Sequence, residues 1–540
     1  MRGLAAMLRY WHTLRHLRLG QVIGRARFKL ARPSPDLRPA PPLRGAGGQW
    51  TDPAPRRASM LGPSEFLFLN YRRSIDGGRW DDPTLAKLWR YNLHYFDDLC
   101  ATGAPDRARW HHALIGRWVR ENPPGRGTGW EPYPTSLRIV NWCKWAFAGN
   151  ELPGEAIQSL AVQARWLTRR LEWHLLGNHL FVNAKALVFA GCLFDGPEAD
   201  AWRAIGTRIL VEQVPEQVLP DGGQFERSPM YHALALEDVL DLINLARNFP
   251  ALGSGWMHAI EGCAGPMRRW LSVMCHPDGE VSFFNDSAIG VHPSPGALDL
   301  YARRLGLGEL AAVADGITVL ADSGYARMQR GDAVAIVDVG SVGPDYLPGH
   351  AHADTLSFEL SIGGRRVLVN SGTSEYGVGP ERLRQRGTAA HNTVVVNGQD
   401  SSEVWGGFRV ARRARPLGLK VCPESDPLRV ACAHDGYARL RGSPSHRRTW
   451  ELGARSLRII DDVARARDAR SRWHWAPGSE ILDGDRVRLA CGRVLRLEVM
   501  GGTVTTMAST WHPEFGRVVS NALSEAKFVG ARCTVTISWT

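Results

Sequence analysis

Two histidines and an aspartate occupy alternate positions in the segment Pro348–Leu360, which reads PGHAHADTLSFEL. Side chains two residues apart on an extended chain point to the same side, so His350 and His352, with Asp354 behind them, are predicted to share one face. Imidazoles transfer protons near neutral pH and are common metal ligands. The segment therefore indicates proton transfer, metal binding or both. The alternative is a set of loop histidines hydrogen-bonded to the backbone.

Further polar islands interrupt otherwise ordinary sequence on both sides of this segment. They read YNLHYFDD at 91–98, GWEPYP at 129–134, GNHLFVN at 177–183, DGGQFERSPMYH at 221–232 and RGTAAHNTVVVNG at 386–398. In their order along the chain, these islands resemble the heparinase II/III-like polysaccharide lyases, a group that includes alginate and oligoalginate lyases. The resemblance extends from about residue 85 to about residue 410.

The resemblance implies roles for individual residues. Asn178 matches the family's residue that neutralises the substrate carboxylate, and His179 beside it is placed in the same catalytic group. Tyr231 matches the catalytic tyrosine, and His350 matches the histidine contributed by the second domain. The implied substrate is an anionic polysaccharide or oligosaccharide that contains a uronic acid.

These residue types suit β-elimination at a uronic acid. The enzyme must remove the proton next to the sugar carboxylate, stabilise an enolate-like dianion and protonate the departing glycosidic oxygen. An amide or imidazolium donor meets the developing charge. An imidazole or a phenolate can serve as the base, and a tyrosine hydroxyl over the ring can serve as the acid.

Four further residues are predicted to bind the substrate: Trp130, Glu226, His232 and Arg386. Trp130 lies in a Gly/Pro-rich loop with little sequence nearby to bury it, so we expect it to stack on a sugar ring. Arg386 belongs to an arginine cluster suited to an anionic ligand. His232 points about 100° away from Tyr231 on a helix, so it is expected to support the site and not to act as the base.

A metal site is a second expectation from the resemblance. In metal-containing members of the family, two imidazoles and an aspartate bind zinc. His352 and His391 match the imidazoles, but the aspartate position holds Asn370. An amide oxygen is a poor, neutral substitute for a carboxylate on zinc. We therefore expect either zinc at these three residues or a hydrogen-bonded site without metal, and no other cofactor.

The elements that must position these residues change character near residue 320. From about 80 to 310, apolar residues recur at helical spacing, whereas short alternating or apolar runs follow Asp322. This order predicts an α + β protein of several domains. The resemblance makes residues 71–315 an (α/α) toroid and residues 316–540 an antiparallel β-sandwich, with the substrate cleft between them. A basic, Pro-rich extension over residues 1–70 precedes both.

The charge of the chain is concentrated at its start. Residues 1–50 contain ten Lys and Arg against the single acid Asp36, which leaves only +3 of the net charge of +12 for the remaining 490 residues. Such an extension could contact anionic lipid, nucleic acid or a neighbouring protein, but a solvated extension is the favoured interpretation and no nucleic-acid partner is expected. The nine cysteines form no CxxC pair, so neither a disulfide framework nor a zinc cluster is predicted.

The sequence contains no apolar run long enough for a transmembrane helix and no recognisable secretory signal. The family resemblance implies a periplasmic location, with the cytoplasm as the alternative. The favoured function is a polysaccharide lyase. The first rival is a toroid-type glycoside hydrolase that would use Glu226 and an aspartate such as Asp221. The second is a non-catalytic glycan-binding protein of exopolysaccharide assembly.

Overall fold

The computed structural model describes residues 2–45, 47–77, 79–483 and 485–540. Helices dominate the first part of the chain and strands the second, as the sequence predicts. The α-helices of the described residues are α1 (Arg2–Leu14), α2 (Leu19–Leu30), α3 (Lys87–Tyr95), α4 (Ala108–Glu121), α5 (Pro132–Phe147), α6 (Gly154–Arg169), α7 (Gly177–Leu193), α8 (Pro197–Gln217), α9 (Pro229–Asn248), α10 (Pro250–Met274), α11 (Pro295–Arg304) and α12 (Pro380–Arg386). Short 3₁₀ helices span Asp97–Cys100, Ala104–Arg107, Thr128–Trp130 and Thr388–Ala390.

The strands of the described residues pair antiparallel throughout the named sheets. They are β1 (Met60–Gly62), β2 (Glu65–Phe68), β3 (Tyr71–Ser74), β4 (Gly316–Leu320), β5 (Tyr325–Arg330), β6 (Ala333–Asp338), β7 (Phe358–Ile362), β8 (Arg365–Leu368), β9 (Val394–Val396), β10 (Val404–Trp405), β11 (Arg409–Val410), β12 (Pro416–Cys422), β13 (Leu428–His434), β14 (Ser445–Leu452), β15 (Ser456–Ala464), β16 (Ala469–His474), β17 (Glu480–Ile481), β18 (Arg486–Arg488), β19 (Val494–Met500), β20 (Gly502–Trp511), β21 (Val519–Phe528) and β22 (Arg532–Trp539).

Three larger sheets and the two-stranded sheet β10-β11 lie in the second part of the chain. The first has the order β4-β5-β6-β7-β8, the second β12-β13-β14-β15-β22-β19-β18-β17, and the third β20-β21-β16-β9. Buried apolar residues from all three, including Leu360, Trp450, Trp473 and Ile537, pack into one hydrophobic cluster. The shared core holds the sheets together and fixes the loops that leave their edges.

The helices of the first part differ in how much of their surface is buried. Nearly all residues of α7 and α9 are buried, whereas α8 buries one face, with Ala199, Trp202, Gly206, Ile209 and Val214 at helical spacing. A helix that is apolar all round belongs in an interior, and an amphipathic helix covers it. Helices α7 and α9 therefore form the inside of the helical part, and they carry residues of the site described below.

The N-terminal segment corrects two expectations. After α2 the chain runs along the helical part, where the backbone N–H of Ala40 donates to Gln158 and that of Arg44 donates to the Leu193 carbonyl. It is therefore packed and not a freely solvated extension. The expected boundary at residue 70 falls between β2 and β3, which pair in one sheet with β1, so the division does not separate two folding units.

No helix within the described residues is long and apolar enough to cross a membrane.

Candidate active site

The carboxylate of Asp286 joins two histidines of the HxHxD segment. Its Oδ2 accepts from His350 Nδ1 at 2.9 Å, and its Oδ1 accepts from His352 Nε2 at 2.8 Å. The guanidinium of Arg382 binds the same carboxylate with both terminal nitrogens, at 2.6 Å for Nη2. The two imidazoles therefore share one face, as the spacing predicts, because they bind the two oxygens of one carboxylate.

Asp286 is buried completely, yet it is held ionised. Burial opposes ionisation, but the Arg382 charge and the hydrogen bonds from both imidazoles keep the pKa of Asp286 well below its ordinary value. The preceding Asn285 adopts a left-handed φ of 55°, which asparagine tolerates, and its Oδ1 accepts the backbone N–H of His352. Sequence reasoning missed Asp286, although its Asn-Asp pair in a short polar segment after α10 was a usable signal.

Tyr231 lies in the first turn of α9, where the local sequence defines the start of the helix. Ser228 is the N-cap and its Oγ accepts the Tyr231 backbone N–H at 3.1 Å, while Pro229 occupies the first helical position. The Ser228 hydroxyl also donates to the Asp286 carbonyl. The Tyr231 ring is thereby stacked 3.9 Å from the His350 ring, centroid to centroid.

A second tyrosine, which the sequence did not reveal, completes this group. The hydroxyls of Tyr376 and Tyr231 lie 2.9 Å apart, and Tyr376 belongs to the loop between β8 and α12. Its ring packs against Phe408 and Phe515. Burial raises the pKa of both tyrosines well above the ordinary value, so both are neutral phenols near neutral pH.

Asn178 and His179 occupy the N-terminal turn of α7. Leu176 and Gly177 have φ values of 61° and 54°, and this left-handed turn starts the helix. The positive φ of Gly177 favours glycine, and a Cβ there would also lie 2.5 Å from the Leu347 side chain, which would have to move. Within the described residues, no partner engages the amide of Asn178, which leaves that amide able to bind a ligand.

His179 carries a charge-stabilising partner. Its Nδ1 lies 3.1 Å from the Glu172 carboxylate, and its ring packs 4.6 Å from that of Tyr133. Burial favours the neutral imidazole, but the carboxylates of Glu172 and Glu226 outweigh this effect and raise the pKa of His179 above its ordinary value. The side chain is 30% exposed, so the imidazolium can reach a ligand.

Glu226 connects the α7 residues to the histidine group. It is buried, and its Oε2 lies 3.7 Å from His350 Nε2. Burial raises the pKa of Glu226, while His350, His179 and the backbone N–H of Asn178 oppose the rise. Asn178 and His179 on α7, Glu226 in the turn before α9, Tyr231 on α9 and His350 in the loop before β7 therefore form one contiguous group.

Trp130 is not available for a sugar ring. It is 3% exposed, its indole N–H donates to the Asn122 carbonyl, and it packs against Trp118 and Trp166. The prediction of a substrate-stacking residue was wrong because distant helices supply aromatic neighbours that the local loop lacks.

His232 and Arg386 are also too deeply buried to touch a substrate. His232 accepts from the backbone N–H of Gln224 and donates to the Met267 carbonyl, so it holds the turn before α9. Arg386 donates to the carbonyls of Ala351 and Gly406, and thus braces the loop between His350 and His352. Both predictions of substrate contact were wrong, because backbone carbonyls accept the hydrogen bonds that His232 and Arg386 donate.

A candidate metal site adjoins this group. His352 Nδ1 and His391 Nε2 lie 3.1 Å apart, and a carboxylate oxygen of Asp354 lies within 4.8 Å of both. His352 Nε2 donates to Asp286 and His391 Nδ1 donates to the Gly387 carbonyl. The lone pairs of His352 Nδ1 and His391 Nε2 therefore face each other unless a cation or a proton lies between them. Burial lowers the pKa of His352 to about 4 and lowers that of His391, so protonation is disfavoured.

This donor set fits a divalent cation. Zinc–nitrogen bonds of about 2.0–2.1 Å in a tetrahedron place two ligand nitrogens about 3.3 Å apart, close to the observed separation. Asn370 is not the third member of the cluster. Its Oδ1 accepts the backbone N–H of Asn392 and its amide donates to Ser357 Oγ, whereas the carboxylate of Asp354 lies beside both imidazoles.

Two family models match most of this chain. The model of the heparinase II/III N-terminus matches residues 117–292, and that of the heparinase II/III-like C-terminal region matches residues 314–540. The heparin-sulfate lyase of Pedobacter heparinus is 27% identical over 381 residues, which cover 62% of this chain but only 55% of that protein. The chain thus spans little more than half the length of this relative.

Two further relatives cover more of the chain. The FtsZ-localized protein C of Caulobacter vibrioides is 26% identical over 510 residues, 85% of this chain and 79% of that protein. A crystal structure of heparinase III superposes with a TM-score of 0.66 at 18% identity, covering 84% of this chain and 76% of that one. This structural likeness shows a shared fold.

Proposed function

This chain belongs to the heparinase II/III-like family, and we propose that it is a polysaccharide lyase that cleaves an acidic, uronate-containing glycan by β-elimination. The observation that best supports this proposal is the contact between the Tyr231 and His350 rings, close to Asn178 and His179. The heparin-sulfate lyase and heparinase III relatives support the same reaction class.

The hydrogen bonds distinguish the base from the acid. His350 donates its Nδ1 proton to the ionised Asp286, so Nε2 carries the lone pair and can accept the proton next to the substrate carboxylate. Tyr231 remains a phenol because burial raises its pKa, so its hydroxyl can protonate the departing glycosidic oxygen. Tyr376 holds that hydroxyl at 2.9 Å.

The substrate carboxylate is proposed to lie against Asn178 and His179, whereas Glu226, which is 2% exposed, is too buried to touch it. The amide and the imidazolium donate to the carboxylate oxygens, and these bonds strengthen as charge develops in the enolate-like intermediate. Glu226 would repel an anion if it were ionised. Burial raises the pKa of Glu226, which lessens that repulsion.

The finer architecture is part of this proposal. Buried helices α7 and α9 inside amphipathic ones support an (α/α) toroid, and the core shared by three antiparallel sheets supports a β-sandwich. The sandwich domain would start near residue 316, where β4 begins. The catalytic residues then come from the toroid (Asn178, Tyr231) and from the sandwich (His350), across a cleft.

A metal ion, if bound, would lie between His352, Asp354 and His391. There it would neutralise the facing lone pairs and hold His352 against Asp286, and thereby fix the carboxylate that orients His350. A periplasmic location stays a prediction from the resemblance.

The two rivals are less well supported. A hydrolase needs a pair of carboxylates free to act on the glycosidic bond, but Glu226 is buried and Asp221 accepts hydrogen bonds from the backbone N–H groups of Gly223 and Ser323 and from the Ser323 hydroxyl. A non-catalytic glycan-binding protein would not require His350 to face a phenol and an amide.

The test is incubation of the purified chain with heparan sulfate, chondroitin sulfate, alginate and neutral dextran. Each cleavage by a lyase gives one fragment with a new reducing end and one with a carbon–carbon double bond at its new non-reducing end, which absorbs in the near ultraviolet. A hydrolase gives a new reducing end without that absorbance. Absorbance with at least one uronate polymer and none with dextran is expected. New reducing ends without absorbance would refute elimination. If every polymer of the panel stayed uncut, the non-catalytic glycan-binding protein would be favoured.

A further inference from the structure

Helices α1 and α2 expose a row of large apolar side chains. On α1, Met7, Trp11 and Leu14 are 70%, 62% and 53% exposed, and on α2, Leu19, Val22 and Ile23 are 73%, 52% and 51% exposed. Their positions follow the i, i+3, i+4, i+7 spacing of one helix face. Each helix thus presents an apolar face on the outside of the molecule, and these two faces together are called the strip.

The polar sides of these helices, in contrast, face the protein. Thr13 Oγ1 accepts the Trp405 indole N–H at 3.1 Å, and the Gln21 amide donates to the Tyr346 carbonyl at 3.3 Å. The Arg18 guanidinium lies 3.6 Å above the Tyr346 ring. Tyr10 and Phe28 also pack on the protein, against Trp405 and His174, but the apolar side chains named above stay outside this contact.

The segment that carries the strip is predominantly basic, although Glu216 and Asp345 of other elements lie beside Arg18 and His16. Ten Lys and Arg residues and a single acid lie within residues 1–50. Arg18 pairs with Glu216, whereas Arg9, Arg25, Arg27 and Lys29 form no ion pair within the described residues. The surface therefore combines exposed apolar side chains with uncompensated positive charge.

We propose that the strip on α1 and α2 binds the surface of an anionic lipid bilayer. Helices of this composition lie in the plane of the interface, with the apolar face among the acyl chains and the basic side chains at the anionic headgroups. Charge complementarity selects this occupant over a second copy of the chain, which would bring two positive strips together. A nucleic acid or a polyanionic glycan would use the charge but leave Trp11 and Ile23 in water.

The location of the strip gives the binding a consequence for the cleft. Arg18 and Gln21 hold Tyr346, which lies four residues before His350 on the same loop. A bilayer bound at α1 and α2 therefore places this loop near the membrane surface, where glycans attached to or lying along the membrane are within reach.

The test is flotation of the full chain with vesicles of equimolar phosphatidylglycerol and phosphatidylcholine, compared with phosphatidylcholine alone. The wild-type chain is expected to float with the anionic vesicles only. The double variant Trp11→Glu/Ile23→Glu should lower the bound fraction about tenfold or more, since both side chains are exposed in the free protein and their replacement removes only the inserted surface.

The matched control is Met500→Glu/Val529→Glu, which makes the same change in net charge at side chains that are 71% and 77% exposed on the β domain. It should bind as the wild type does, and circular dichroism should show both variants folded. Equal binding of the two double variants would overturn the proposal, as would absence of wild-type flotation. If sedimentation velocity instead shows a wild-type dimer that Trp11→Glu/Ile23→Glu dissociates, with no binding to vesicles, the strip is an interface between two copies of the chain. In that case the proposal is overturned.

Discussion

Replacing Tyr231 with phenylalanine removes one hydroxyl and leaves the ring that stacks on His350. The ring contact is 3.9 Å between centroids and involves no hydroxyl atom. The N-cap hydrogen bond from the Tyr231 backbone to Ser228 is also unaffected. Tyr231→Phe therefore separates the chemistry of the hydroxyl from the packing of the side chain.

Two magnitudes follow from this geometry. The lost hydroxyl ends one hydrogen bond, to Tyr376, so the free energy of unfolding should fall by only about 0.5–1.5 kcal/mol. A general acid contributes about 10²–10⁴-fold to the rate, equivalent to about 3–5 kcal/mol at 25 °C. The loss of activity should thus be far larger than the loss of stability.

The assay is the initial rate of ultraviolet absorbance increase with the uronate polymer that the panel identifies, beside urea unfolding of the same preparation. Tyr437→Phe is the matched control. The Tyr437 hydroxyl is buried and donates to the Val394 carbonyl at 2.6 Å, away from the site, so its loss should cost similar stability and no activity.

Wild-type rates in Tyr231→Phe would reject the hydroxyl as the acid. A rate lowered equally in Tyr231→Phe and Tyr437→Phe would attribute the effect to stability. If Tyr231→Phe retained about a tenth of the rate, the solvent or Tyr376 would be the acid and Tyr231 would only position it.

Four further outcomes are expected. Asn178→Ala should lower kcat about 10²–10³-fold with little change in KM, because its amide bonds the charge that develops; a change confined to KM would make it a binding residue. His179→Gln tests whether the pKa of His179 is raised in the folded protein. The free energy of unfolding of the wild type should exceed that of the variant most below about pH 6.5, and this difference should shrink as the pH rises through the pKa of His179 in the folded protein. A difference that does not change with pH would contradict the raised pKa. Asp286→Asn should lower the free energy of unfolding by about 3–5 kcal/mol in urea, since it leaves a fully buried guanidinium without its counter-charge, and a loss below about 1 kcal/mol would refute that dependence. Asp354→Asn should reduce metal content in elemental analysis while Asn370→Asp leaves it unchanged; the opposite result would make position 370 the third ligand.

The order of helices and strands was readable from the sequence because both periodicities are local. Apolar residues at helical spacing indicate helices such as α6 and α9, and short apolar runs bounded by turns indicate strands such as β6 and β7. The pairing of His350 with His352 on one face was predictable for the same reason. Polar islands also marked where Asn178 and Tyr231 would begin their helices.

Burial was not readable locally, and this explains the residues that were misassigned. Trp130 looked unburied within its loop, but Trp118 and Trp166 come from helices at other positions in the chain. Arg386 looked free to bind an anion, yet carbonyls of Ala351 and Gly406 use its donors. In each case the deciding neighbour was distant in sequence.

The convergence on one carboxylate was decided only by the tertiary structure. Asp286 follows the last long helix, His350 lies in a loop between strands and Arg382 on a short helix 96 residues after Asp286. A residue's type and its neighbours specify helix or strand, but only the packing of the sheets against the helices brings these three together. The sequence by itself determined which elements and which reactive side chains the protein has; the packed fold determined which of them meet, since long-range contacts depend on the whole core and leave no periodic trace in the chain.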